Sequence, residues 1–191
     1  MDCSKEKSLS RSVPIMEGID TANGVIDFRG VDFTSQTPSQ ELFANYDVVL
    51  ASCGFPDTAD IIPLFNRIVV VTNLFMHNLE KVNLYADTIN QLGEEVGRYF
   101  LVRDVIDMKI TPYALSKQIG IDIPEENMIE IYFEYTDYES AILCQYNQVP
   151  RFTKITRGLR RYLIEEVMDI YPDLSKKECK KAYKAARKGR A

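Results

Sequence analysis

The sequence predicts an α/β domain built on an open, mostly parallel sheet in three layers, flanked by helices and followed by a basic C-terminal helical tail. Three observations predict it. Two short continuous apolar runs, 46–51 (YDVVLA) and 67–72 (RIVVVT), are bounded by polar or turn residues, as strands buried on both faces are. Stretches with apolar residues at helical spacing separate these and later runs. The resulting strand–helix alternation, closed by right-handed crossovers, gives a parallel sheet covered by helices.

The elements follow in chain order. Residues 1–22 are polar and without periodicity, and read as a flexible leader. The alternation in 25–33 (VIDFRGVDF) predicts a strand or hairpin arm. Thr37 and Pro38 suit the cap and first position of a short helix. A buried strand over 47–51 and a second over Arg67–Thr72 come next. Leu79, Val82, Leu84, Tyr85, Ile89 and Leu92 give residues 76–92 an apolar helical stripe, and Gly93 supplies its stop. Residues 98–103 predict a strand, Thr111-Pro112 to Gly120 a short helix, 128–133 (MIEIYF) a strand and 136–146 a helix. A last long helix spans 152–171, with Ile155, Leu159, Leu163, Val167 and Ile170 on one face and Pro172 at its end. Domain organisation is therefore a leader over 1–22, the α/β domain over 23–172 and the tail over 173–191.

The 191 residues, 46% apolar and 27% charged, suffice to bury one core. No apolar run reaches the length of a transmembrane helix, and the first residues lack the apolar stretch of a secretory signal. Cys3, Cys53, Cys144 and Cys179 are widely spaced with no C-x-x-C pair, which argues against a zinc site and against a disulfide framework. A cytoplasmic setting is expected. The net charge of −5 hides an asymmetry: residues 174–191 hold eight Lys or Arg against one Glu, a local +7, leaving −12 on the rest. Such a tail calls for an anionic partner.

In an open parallel sheet, ligands collect at the carboxyl ends of the strands. Here those ends are Ser52-Cys53-Gly54 and Thr72-Asn73. No G-x-x-x-x-G-K-[ST] phosphate cradle occurs. The sheet thus has the form of a nucleotide-binding sheet without its phosphate loop.

The order of these elements, with their particular words, resembles the second half of the ParA/MinD family of deviant P-loop ATPases, most closely its CpaE/TadZ-like pilus-assembly and localisation branch. Residues 46–50 (YDVVL) resemble the family's "YDxxxxD" strand, and residues 60–73 the "aD-x-v-i-vvt" segment after it. Residues 78–92 resemble the following helix. Ile123-Pro124 through Val149-Pro150, and Lys154 onward, resemble the "iP-x-d … a-x-n-x-g-x-P" stretch and closing helix. The likeness covers residues 45–171.

The departures are as informative. The family's lysine-bearing loop would lie upstream, where this chain has a polar leader. The aspartate that helps hold Mg²⁺ falls on Ser52, and the base-side asparagine on Arg103 or Asp104. The resemblance therefore implies a non-catalytic or impaired domain, an interaction or localisation module without ATP hydrolysis. Ser52, Arg103, Asp104 and Pro124 are its weak nucleotide-binding candidates. No cofactor is expected, and ATP·Mg²⁺ only if an upstream segment or partner chain supplies the loop. The alternatives are a C-terminal fragment of a working ATPase of this family, and a DNA-binding accessory protein.

Other residue groups were weighed against plainer roles. Ser52 or Cys53 as a nucleophile with His77, the single histidine, competes with a packed strand end. Asp57 and Asp60 as metal ligands compete with helix-turn capping. Phe55, Phe75, Tyr132, Tyr135 and Tyr138, with Phe133 beside them, form a candidate face for a protein partner or homodimer, against a role sealing the sheet edge. Arg157, Arg160 and Arg161, with Lys176, Lys177, Lys180, Lys181, Lys184, Arg187 and Lys188, are candidates for DNA or an anionic membrane surface, against a solvated helix face and a disordered tail. The segment 111–121 has a superficial helix-turn-helix look, but Pro124 follows too soon for a recognition helix.

Overall fold

Two short strands, β1 (Val25–Phe28) and β2 (Val31–Thr34), open the computed structural model as an antiparallel hairpin in which Val25 faces Thr34 and Ile26 faces Phe33. Gly30, at φ +77°, supplies the turn, a conformation costly for residues with a Cβ. The structure describes residues 1–4, 24–28, 30–54, 60–107, 109–147 and 152–188. It divides into two compact units. One comprises Met1–Thr37, Glu41–Gly54 and Glu134–Ala191; the other comprises Pro38–Gln40 and Phe55–Phe133. A single turn of helix, α1 (Gln40–Phe43), starts two residues after Pro38.

The second unit carries a parallel sheet. Its strands are β3 (Arg67–Thr72), β4 (Gly97–Val105) and β5 (Met128–Tyr132), in the order β3-β4-β5. Val70 faces Phe100 and Thr72 faces Val102; on the other side Leu101 faces Ile129. Parallel neighbours need crossovers. The first is α2 (Met76–Asn83) with α3 (Ala86–Asn90), and the second is α4 (Pro112–Gln118). Phe100 and Val102 point to one face, as alternate residues of a strand must. There they join Leu79 and Val82 of α2, Ala86 and Ile89 of α3, and Leu115 and Ile119 of α4 in one buried cluster.

Local chemistry explains the helix ends. Thr111 caps α4 by accepting a bond from the Ala114 amide, and Pro112 occupies a position whose missing N–H costs nothing. At its other end Gly120 sits at φ +74°, with its amide on the Lys117 carbonyl and that of Ile121 on Ser116. That is a Schellman stop. The single helix expected over 76–92 is instead two, with a break at Leu84-Tyr85. The steps 79, 82, 86 and 89 keep the stripe in phase across it, whereas Leu84 falls off the stripe and is 78% exposed.

The strand expected over 47–51 does not form. Residues 46–51 lie outside the sheets, and Leu50 is 68% exposed. A continuous apolar run becomes a buried strand only when both of its faces are covered. Instead the backbone next to it pairs with residues 1–4, the start of the expected leader. The Ser52 amide donates to the Met1 carbonyl, and the Cys3 amide to the Ser52 carbonyl, both at 2.9 Å. The Asp2 amide reaches the Thr34 carbonyl at 2.7 Å. Asp2 is buried, and its Oδ1 accepts bonds from the Ser4 amide and hydroxyl. Residues 5–22 of the expected leader lie outside the described residues.

Three helices complete the first unit: α5 (Tyr135–Asn147), α6 (Arg157–Ile170) and α7 (Lys176–Arg187). The last long helix expected over 152–171 starts only at Arg157, because Thr156 is its cap. The C-terminal segment is a docked helix rather than a disordered tail. Ser175 and Glu178 form a capping box, each satisfying the other's backbone amide. Cys179 is buried, and the Tyr183 hydroxyl donates to the Phe152 carbonyl at 2.9 Å. The rings of Phe152 and Tyr183 meet edge to face at 6.5 Å.

Candidate functional site

The carboxyl edge of the parallel sheet is where β3 ends at Thr72, β4 at Val105 and β5 at Tyr132. β4 runs three residues past its last pairing with β3, at Thr72–Val102. Within that extension the register with β5 shifts between Arg103 and Val105, a β-bulge. Asp104 occupies it at φ +57°, a left-handed conformation in which a non-glycine residue is strained. Its carboxylate is held by Arg103, Nε to Oδ2 at 2.9 Å.

At the neighbouring tip, Asn73 replaces the usual cap of α2. The capping position itself is Phe75, whose side chain cannot cap. Two residues earlier, the Asn73 Oδ1 accepts from the Phe75 amide at 3.1 Å and from the Asn78 side chain at 2.8 Å. This frees the start of α2 to display apolar residues. Phe75 is 65% exposed and stacks on His77 at 5.8 Å between ring centroids. Met76, Ile106, Tyr132 and Phe133 are exposed as well.

The electrostatics of this edge are acidic. Arg103 is committed to Asp104. The Tyr132 hydroxyl donates to Glu130 at 3.2 Å, and the charge of Glu130, with a smaller contribution from Asp107, holds its pKa above the ordinary tyrosine value. Phosphate groups meet no uncommitted guanidinium among these residues. The surface instead offers aromatic and aliphatic side chains beside carboxylates.

The four nucleotide-binding candidates do not converge. Arg103 and Asp104 stand at the carboxyl edge. Pro124 precedes the 3-10 turn Glu125–Asn127 that leads into β5, at the amino end of the strands. Ser52 belongs to the other unit, where it bridges to Asp2. Ser52 is displaced because the strand expected over 47–51 is not in the sheet, and Pro124 because it leads into β5 instead of following a strand.

Of the five residues assigned to an interaction face, Phe75 and Tyr132 lie on this edge. Tyr135 and Tyr138, in the first turn of α5, are exposed and belong to the first unit. Phe55 lies outside the described residues, as does Asp57. Among the described residues, no group of three or more His, Cys, Asp or Glu is placed to hold a metal ion. Met76 and Ile106 escaped sequence reasoning. Apolar residues at a helix start, where a polar cap is expected, were the signal that could have found Met76.

The basic candidates lie on α6 and α7. Arg160 is half-buried, with its guanidinium 5.9 Å from the centre of the Tyr183 ring. Arg161 pairs with Glu165 at 3.3 Å, and Arg157 is exposed. On α7, Lys176, Lys177, Lys180, Lys181, Lys184 and Arg187 are all exposed, as is Lys188 at its end. α7 docks through Cys179 and Tyr183, so its cations are left outward.

No model of a known protein family matches the chain, and no curated protein matches it.

Proposed function

We propose that this chain is a non-catalytic or impaired ParA/MinD-like domain that acts as an interaction and localisation module, in the assembly of a pilus or secretion machine. One observation carries the reading: the carboxyl edge of a parallel sheet, where a ligand would be cradled, displays exposed apolar side chains, and its guanidinium, Arg103, is taken up by Asp104. Phe75, Ile106 and Tyr132 are 65%, 53% and 57% exposed there. Exposed apolar clusters of this kind mark interaction surfaces. The resemblance supplies the partner, because members of that family dimerise across this end; the occupant is a second copy of the chain.

On this reading a second helix layer covers the other face of the sheet, and the burial of Leu101 on that face supports it. Among the described residues no helix is long and apolar enough to cross a membrane. A cytoplasmic location is part of the proposal.

Sedimentation of the full chain and of a Phe75→Asp, Tyr132→Asp double variant tests the interaction. The wild type should self-associate and the variant should not, with both folded by circular dichroism. A wild type that stays monomeric at high concentration overturns the dimer. Calorimetry with ATP·Mg²⁺ tests the rest, since micromolar magnesium-dependent binding would restore a working or fragmentary ATPase.

A second reading, an accessory protein that binds DNA, is favoured by the outward cations of α7. Retention on DNA that falls steeply with salt, and that vanishes on Lys180→Glu with Lys184→Glu, would single it out.

A further inference from the structure

We propose that Cys3 and Cys53 are a redox-active pair that closes to a reversible disulfide when the chain meets a low-molecular-weight disulfide oxidant. The backbone sets the geometry. Asp2 and Ser52 form a parallel bridge, and the next residue on each side is a cysteine. The Cys3 amide is bonded to the Ser52 carbonyl at 2.9 Å, which holds the two segments in that register. Residues opposite each other in neighbouring strands lie about 4.8 Å apart. That is inside the roughly 4.4–6.8 Å Cα separation that a disulfide spans.

The side chains meet as the backbone requires. The two thiols are close enough to act on each other, Cys3 being among the causes that raise the Cys53 pKa. Both cysteines are half-buried, as is Cys144, so a small oxidant can reach them, whereas Cys179 is buried. The neighbours are built for close approach: Gly54 sits at φ +56°, and a Cβ there would lie 3.1 Å from that of Ser4. Burial, with the adjacent Cys3, pushes the Cys53 thiol up to about 11. Of the two, Cys53 is the thiol held protonated, and on this proposal the first attack falls to Cys3.

The chemistry balances as thiol–disulfide exchange. The Cys3 thiolate attacks one sulfur of the oxidant; the oxidant's S–S bond breaks, a mixed disulfide forms on Cys3 and one small thiolate leaves. Cys53 then loses its proton to solvent and attacks the Cys3 sulfur. The mixed S–S bond breaks, the Cys3–Cys53 bond forms and the second small thiolate leaves. Two protein thiols are oxidised and one small disulfide is reduced to two thiols. The product ties residues 1–4 to 50–54 across the β1–β2 hairpin.

The reduced full chain, equilibrated in glutathione buffers of increasing oxidised share, then alkylated and digested, gives the test. The Cys3 and Cys53 peptides should leave the alkylated pool together and reappear as one cross-linked peptide, with Cys144 outside the cross-link and the buried Cys179 unchanged. The equilibrium constant for closure should exceed that of the same chain in denaturant by about tenfold or more, because the fold pre-positions the thiols. Cys53→Ser should halt the reaction at a glutathione adduct on Cys3. Closure no more favourable than in denaturant, cross-links that include Cys144, or a persistent glutathione adduct on Cys3 or Cys53 of the wild-type chain would each overturn the proposal. The wild-type measurements need no variant, so a substitution that fails to fold leaves them decisive.

Discussion

Asp137 grips Thr156 at two points. Its Oδ1 accepts the Thr156 amide and its Oδ2 the Thr156 hydroxyl, each at 2.6 Å. The same hydroxyl oxygen accepts the Leu159 amide at 3.3 Å, so one threonine caps α6 and ties that cap to α5. Asp137→Ala should cost about 2–3 kcal/mol, because it leaves a partly buried amide and hydroxyl without their ionised partner. Thr156→Ser should cost less than about 1 kcal/mol, since the hydroxyl is kept. Urea unfolding of the two variants measures both.

Tyr183 should be the residue on which the docking of α7 depends. Removing its hydroxyl with Tyr183→Phe strands the Phe152 carbonyl and should cost about 1 kcal/mol. Tyr183→Ala also deletes the ring contacts with Phe152 and Arg160 and should cost about 2 kcal/mol. Truncation after residue 173 should lower the melting temperature, and thermal melts of the three proteins should rank in that order.

Glu178 should make the first turn of α7 acid-sensitive. Bonds from the Ser175 hydroxyl, and then from its amide, hold the Glu178 carboxyl below the ordinary value of 4.5. A carboxyl depressed in the fold adds stability above its unfolded value and loses it as pH falls through the folded one. The capping box should therefore be intact at neutral pH and lose its contribution as pH falls from 4.5 through the depressed folded value. Carboxyl titration by NMR should find Glu178 among the most acidic glutamates, and Ser175→Ala should return it towards 4.5.

Asp104 should be a place where stability can be gained. Its left-handed backbone is strained and its ion pair with Arg103 is solvent-exposed. Asp104→Gly should then stabilise the fold by about 0.5–1 kcal/mol, relief of strain outweighing the added freedom of glycine in the unfolded chain. Chemical denaturation decides it. A loss of stability would show that the Arg103 pair holds the bulge together.

The elements legible in the sequence are those written in local chemistry. Arg67–Thr72 was readable because a β-branched run stands between polar residues, and α4 because Thr111, Pro112 and Gly120 punctuate it. Alternation over 25–33 marked extended backbone as one strand or arm, whereas the chain turns at Gly30 and pairs the two halves. What failed depended on partners far along the chain. Residues 47–51 carry a strand's composition, but strand formation is a matter of pairing, and their neighbour proved to be residues 1–4, whose polar sequence carries no strand signal. The start of α6 was missed because Thr156 is fixed by Asp137, 19 residues away. The docking of α7 was missed because Cys179 and Tyr183, one turn apart, looked too thin a stripe; a buried thiol and a bonded hydroxyl suffice. At the candidate site, Phe75 and Tyr132 were legible as aromatics at strand tips. Ser52 inherited the error in the strand, and Pro124 turned out to lead into β5 from its amino end.

The order of the strands bears on how the chain folds during synthesis. β3 pairs with β4 and β4 with β5, each its neighbour along the chain, and the unit that holds them is nearly continuous, from Phe55 to Phe133. It is able to fold as soon as Phe133 has left the ribosome, growing by one crossover at a time. The other unit is split by that insertion, and its last segment begins at Glu134. Its N-terminal half must wait, unfinished, until α5, α6 and α7 have been made. A nascent chain arrested before α7 should therefore hold a protease-resistant sheet beside a protease-sensitive amino-terminal portion.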